Sequence, residues 1–394
     1  MIYKLNNVIQ NYAWGSHISL SSLFGFNNPN NEPQAELWMG AHPNGCSKLA
    51  DLDISLAEYI KENSNSVLGS YTANRYGQLP YMFKVLAART PLSIQVHPNK
   101  RNSEIGFERE NAQGIALSAG NRNYKDPNHK PELVYAITVY KAMNGFRPIA
   151  DIIALFNEIR IEALNDDVAR LIKAPNAHGL KALFTTVLTL TGDKKDAVLE
   201  QLSRHYGRVD LSTSASQALE YSQNFTNQYP GDNGVLAPLL LNIVELQPGE
   251  AMFLHAETPH AYVQGTALEI MASSDNVLRA GLTPKHIDVG ELVANTRFES
   301  IKPNEILLEP IKREGHCHFP VAVDDFKFDI MEATDTEHTL YARSAEILFC
   351  IEGELRVESK EALVMLGAGE SALVPCSVGK YAIQGKARVA RAYN

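Results

Sequence analysis

VELQPGEAMFLHAETPHAYV (residues 244–263) and LVMLGAGESALVPCSVGKYAI (residues 363–383) follow one pattern. Each reads as strand, small-Gly-Glu turn, strand, turn and strand, with Pro248-Gly249-Glu250 in the first and Ala368-Gly369-Glu370 in the second. ILFCIEGEL (347–355) adds a hairpin with Glu352-Gly353 in its turn. Short strands between such turns point to a small double-sheet jelly roll, and the repetition points to two of them. The second copy lacks the histidines of the first, so the chemistry belongs to the first.

Between the two kinds of texture lies a different one. From about residue 148 to 228, stretches such as PIADIIALFNEIRIEAL and NAHGLKALFTTVLTL carry apolar residues at three- and four-residue spacing with almost no internal glycine. That is a block of amphipathic helices, ended by YPGDNG (229–234). The expected fold class is mainly β with an α-helical insertion: two cupin-type jelly-roll units plus a helical domain. Residues 1–147 with 229–304 form the catalytic unit, 148–228 the helical domain, and 305–394 a C-terminal cupin-like unit without a metal site.

Bulk properties narrow the function. The chain has 394 residues, 45% hydrophobic and 21% charged, as in an ordinary globular protein. A net charge of −9 argues against a nucleic-acid or anionic-membrane binder. MIYKLNNVIQ (1–10) has no continuous apolar stretch of signal-peptide length, and no run of about 18 apolar residues occurs, so neither a signal peptide nor a membrane span is expected. Cys46, Cys317, Cys350 and Cys376 form no CxxC and read as free thiols in a reducing cytoplasm.

Three short stretches then carry the chemistry. In LSIQVHPNK (92–100) Leu92, Ile94 and Val96 alternate with polar residues before Pro98 ends the strand. Residues at i and i+2 project to the same side about 6 to 7 Å apart, so Gln95 and His97 can converge on one centre. Alone, such a pair is more often a hydrogen-bonded strand end. In YKDPNHKPELVYAIT (124–138) two prolines fix a turn presenting His129 and Lys130, and Glu132 opens an apolar strand where an inward carboxylate needs a partner. FLHAETPHAYVQG (253–265) offers His255 and His260. His260 follows Pro259 and starts a strand, mirroring Gln95 and His97 beside Pro98, and is preferred. Gln95, His97, Glu132 and His260 make an N/O donor set without thiolate, suited to zinc or another divalent first-row ion. A fourth stretch, ALEIMASSDNVLRAGLTPKHID (267–288), places Glu269, Asp275, Arg279 and Lys285 among small residues that allow close backbone approach to a ligand. Lys130 and Arg279 supply the local positive charge an anionic substrate needs.

QNYAWGS (10–16), AELWMGAHP (35–43), PLSIQVHPNK (91–100), YKDPNHKPELV (124–134), TPHAY (258–262) and SSDNVLRAGLTPK (273–285) together resemble the type I mannose-6-phosphate isomerases, over nearly the whole chain. The resemblance implies a zinc enzyme, one ion per chain, with ligands at Gln95, His97, Glu132 and His260. It places Trp14, Ser93, Lys100, Lys130, Tyr262, Asp275, Arg279 and Lys285 around substrate; His129 and Glu269 are further candidate contacts. The implied reaction moves a proton between C1 and C2 of an open-chain sugar phosphate through an enediol-type intermediate, linking mannose 6-phosphate with fructose 6-phosphate. Arg279 would stabilise developing negative charge. The proton carrier is open among His97, Lys130, Asp275 and Tyr262, with Lys130 or Asp275 preferred. Ser93, Lys100 and Lys285 are candidates for the phosphate, and His129 for ring opening. A cytoplasmic monomer serving GDP-mannose biosynthesis is the setting expected. The rival readings are another metal-dependent cupin enzyme, such as an iron oxygenase, and a sugar-phosphate-binding cupin without turnover.

Overall fold

The computed structural model describes all residues, Met1 to Asn394. The strand His260–Ala272 organises the first jelly roll. Its first part pairs with Ile94–Val96 and Tyr140–Phe146, and beyond Gly265 it pairs with Tyr81–Ala88 and Glu132–Ala136. Changing partners requires a bend. Gly265 supplies it with φ +119°, and a Cβ there would stand 2.4 Å from the Val139 carbonyl oxygen. One strand thereby joins two layers.

The second jelly roll is built on Glu346–Ser359 and Lys380–Tyr393, which pair along most of their length, with Lys327–Ala333 on the far side of the latter. Tyr3–Asn6, at the start of the chain, pairs with Ser371–Val374 of this unit on one side and with Lys48–Leu49 on the other. The N-terminal segment thus covers what would be an open sheet edge in the C-terminal unit. The two rolls also share a core. Phe83 lies edge-on to Phe328 and Phe349, with ring centroids 6.1 and 6.3 Å away.

Five α-helices run from Ile149–Ile159 to Thr213–Gln228. Their apolar faces pack with Ile94, Val96, Phe146, Ala261 and Val263 in one buried cluster. The strand Ile94–Val96 therefore gives its apolar side to the helices and leaves Gln95 on the opposite side. The sequence reading gave no helix after Pro98, yet Lys100–Ala112 is one, with the Asn99 side chain accepting the Asn102 N–H at 2.8 Å. Its polar composition hid it. The four cysteines are free. No helix is long and apolar enough to cross a membrane.

Candidate metal centre and substrate site

His97, Glu132 and His260 come together at three strand ends, all buried, with one potential ligand atom from each lying within 4.8 Å of the others. The histidine tautomers follow from their backbone partners. His97 Nδ1–H donates to the Asn276 carbonyl at 2.7 Å, and His260 Nδ1–H donates to the Thr258 carbonyl at 2.9 Å. Both Nε2 atoms are then bare, each 3.4 Å from a different Glu132 oxygen. His97 Nε2 has no hydrogen-bond partner at all. Burial, followed by the Lys130 charge, pushes the His97 imidazole down to about 4, so it stays neutral. Burial alone would raise the Glu132 carboxyl. Lys130, with Nζ 2.7 Å from Oε1, and the two histidines outweigh it and hold the group well below its ordinary value.

Two nitrogen lone pairs facing a carboxylate in a dry site repel it unless a cation stands between them. The orphaned His97 nitrogen is therefore a fitting observation for a divalent ion, and the carbonyl partners of both rings are the outer contacts such ligands use. Gln95 is the register partner of His260. Its Nε2 donates to Ser93 Oγ at 3.2 Å, which leaves Oε1 as a ligand atom. The donor set is the nitrogen-and-oxygen kind that suits zinc.

A small cavity of about 60 Å³ adjoins these residues and is lined by Ser93, Gln95, Lys130, Glu132, Tyr262 and Glu269 among others. The Tyr262 hydroxyl lies 2.8 Å from Glu132 Oε2 and 2.9 Å from Glu269 Oε1. Burial and the two carboxylates push the phenol far above its usual range, so Tyr262 is a donor here and no base. Glu269 is raised by burial and by the Glu132 charge. Behind it, Lys84 Nζ stands 3.5 Å from Glu36 and 3.6 Å from Glu269, and 4.8 Å from the centre of the Trp38 ring.

At the rim, Arg279 is the register neighbour of Gln95. Burial alone lowers its pKa, with no carboxylate acting on it. Lys285, exposed, is lowered by its partial burial and by Arg279. These two cations answer each other without an acidic partner, as an anion site requires. Asp275 receives a hydrogen bond from His42 at 2.9 Å. Burial would raise its carboxyl, but His42, Lys130 and Lys84 lower it further. Trp14 stacks on Tyr12, centroids 6.0 Å apart.

Other expected residues stand elsewhere. Lys100 Nζ donates to the Pro127 carbonyl at 2.9 Å and to Asn128 Oδ1 at 2.6 Å, and pairs with Glu104. His129 meets Asp325 of the C-terminal unit at 2.9 Å. Both line a separate cleft of about 530 Å³ between the two rolls. His255 packs edge-on against Phe253 and is outside the metal group.

The sequence reading passed over Glu36, His42 and Lys84. A signal was present for one of them: in YMFKVLAA, Lys84 is the one charge in a fully buried strand, and such a charge demands partners.

Residues 2–149 match the family model "Phosphomannose isomerase type I, catalytic domain", and residues 315–394 match "Mannose-6-phosphate isomerase, cupin domain". The mannose-6-phosphate isomerase of Salmonella typhimurium is 48% identical over 394 residues, covering 99% of each chain. That of Escherichia coli is 46% identical over the same span and coverage. A crystal structure of the Salmonella typhimurium enzyme bound to its substrate fructose 6-phosphate and to zinc superposes with a TM-score of 0.94 at 48% identity, covering 100% of this chain and 99% of that one. The chain belongs to the type I phosphomannose isomerase family.

Proposed function

We propose that this protein is a zinc-dependent aldose–ketose isomerase that interconverts mannose 6-phosphate and fructose 6-phosphate. The observation that carries this reading is the bare, buried Nε2 of His97 facing Glu132, with unpaired Arg279 beside Gln95 and Lys285 within reach of the Arg279 charge. Gln95, His97, Glu132 and His260 would hold the ion. When bound there, zinc supplies Lewis acidity toward the C1 and C2 oxygens of the sugar.

The chain's own residues do the rest. Lys285 holds the anionic end of the substrate, and Arg279, the register neighbour of Gln95, offsets charge developing near the metal ligands. Ser93 fixes the Gln95 amide, and Tyr262 donates a hydrogen bond inside the site without losing its proton. Lys130 is committed to Glu132 at 2.7 Å. Asp275 has one oxygen that no protein donor reaches, since only Oδ2 is bonded, to His42. We therefore assign the C1/C2 proton to Asp275, which takes it from C2 of open-chain mannose 6-phosphate and returns it at C1, while the O2 hydroxyl proton passes to O1 so that the enediol becomes the ketose.

The reading extends to a monomer in the cytoplasm that serves GDP-mannose synthesis. What supports it is a site drawn from a single chain and four free thiols.

The test is metal content by mass spectrometry on the same sample assayed for conversion of mannose 6-phosphate, in wild type, His260→Ala and His255→Ala. One equivalent of zinc with turnover, both lost in His260→Ala and kept in His255→Ala, is the expected result. Turnover by zinc-free protein would sink the mechanism.

A further inference from the structure

We infer that His42 is a positioning residue for Asp275, taking one carboxylate oxygen so that the other stays open to the substrate. The inference rests on the reading of Asp275 as proton carrier and deepens it.

His42 follows the strand Glu36–Met39 and is 233 positions from its partner. Its tautomer is set locally. The Asn44 backbone N–H donates to His42 Nδ1 at 3.2 Å, so the proton sits on Nε2, which points to Asp275 Oδ2 at 2.9 Å. The Trp38 ring stands edge-on to the imidazole, 5.1 Å between centroids at 83°, and fixes its plane. The His42 side chain is only 10% exposed, whereas Asp275 is 43% exposed. An oriented Nε2–H donor is thus built into the wall, and the carboxylate it holds reaches into the open.

Asp275 is held from a second side. Its backbone N–H donates to Asp126 Oδ2 at 2.7 Å, and the Asn276 side chain ties the same turn to the Asp126 and Asn128 carbonyls. The backbone is therefore fixed independently of His42, and His42 governs the carboxylate alone. The charged and titratable groups around Asp275 are His42, Lys84, Lys130, Lys125, Asp126 and Tyr12. Among them, His42 is the group hydrogen-bonded to the carboxylate. A base that must be deprotonated to act gains from such a donor, because the hydrogen bond favours the charged form.

Zinc-loaded His42→Asn and His42→Gln separate the two contacts of the ring. An asparagine amide oxygen can still accept the Asn44 N–H but falls short of Asp275. A glutamine amide nitrogen can stand where Nε2–H stands. We expect His42→Asn to lose about tenfold or more in kcat with KM held within about twofold, and the acidic limb of kcat/KM to move to higher pH. His42→Gln should recover most of the rate and the wild-type limb. Equal behaviour of the two variants, both active or both inactive, overturns the inference. If His42→Asn does not fold, the His42→Gln profile decides: its acidic limb must coincide with that of the wild type, and a displaced limb overturns the inference. Asp275→Asn is assayed beside them. If it keeps wild-type kcat, the role of Asp275 itself falls, and the inference with it. If it is inactive while His42→Asn matches the wild type, only the role of His42 falls.

Discussion

His97 Nε2 stands 3.4 Å from Glu132 Oε1, buried, with no proton between them. A neutral imidazole lone pair and an ionised carboxylate gain nothing from such an approach. The fold fixes the ring through the Asn276 carbonyl on its other side, so both atoms are aimed at one point where they can share a cation. Metal binding should therefore appear as stability. A ligand at a hundred times its Kd adds about 2.7 kcal/mol to a folded state that alone binds it. Calorimetry of chelator-stripped protein should show Tm rising by a few degrees as zinc is restored. His255→Ala should keep that rise and His260→Ala should lose it; an unchanged rise in His260→Ala would remove His260 from the site.

Lys285 feels the Arg279 charge and neither cation has an acidic partner, while Lys100 is already satisfied by Pro127, Asn128 and Glu104. Only unpaired cations gain by meeting a phosphate. Lys285→Ala should raise KM for mannose 6-phosphate about tenfold, equivalent to about 1.4 kcal/mol, with kcat nearly kept. Lys100→Ala should leave both constants within about twofold of the wild type. The opposite ranking in steady-state kinetics would return Lys100 to the substrate.

Lys84 is enclosed between Glu36 and Glu269 against the Trp38 ring. Burial lowers its pKa, but the two carboxylates outweigh burial and raise it overall. Its stabilising contribution is thus present throughout the range below the ordinary lysine pKa and fades only at strongly alkaline pH. Lys84→Met strands two buried carboxylates and should cost about 3 kcal/mol in urea unfolding at pH 7. Adding Glu269→Gln removes one stranded charge and should restore part of the loss; additive costs in the double variant would mean the charges do not interact.

What could be read from the sequence was local. Gln95 and His97 share one side of a strand that a proline ends, and His260 stands next to a proline in the same way, so spacing alone brought their side chains into one argument. The glycine turns repeated near residues 249 and 369 for the same reason. Relationships between distant segments were not legible. His42 and Asp275 lie 233 positions apart, and nothing in GAHPNG records that its histidine will meet the SSDN turn. Tyr3–Asn6 looks like any edge strand, and nothing in it records that one side will pair with Ser371–Val374, at the other end of the chain. Lys100 shows the same limit: the resemblance placed it near the substrate, and its contacts with Pro127 and Asn128 across a turn were not legible in the sequence.

Asp329 in the C-terminal roll is fully buried, with His318 Nδ1 at 2.7 Å, His316 Nε2 at 3.1 Å and Arg391 Nη1 at 3.5 Å. Burial would raise its carboxyl, yet the two histidines and Arg391 lower it below the ordinary aspartate value. A depressed pKa in the folded state contributes stability that is fully present above the unfolded value, about 3.9, and is lost as pH falls through the lower folded one. Asp329→Asn leaves Arg391 and both histidines facing a neutral amide and should cost about 3 kcal/mol at pH 7. The gap between variant and wild type should narrow in unfolding curves taken at successively lower pH below about 4, because the wild type must then protonate the carboxylate. A gap that stays constant over that range would show that the loss comes from packing and not from charge. Zinc content should be the same in both proteins, since the four ligands lie in the other roll.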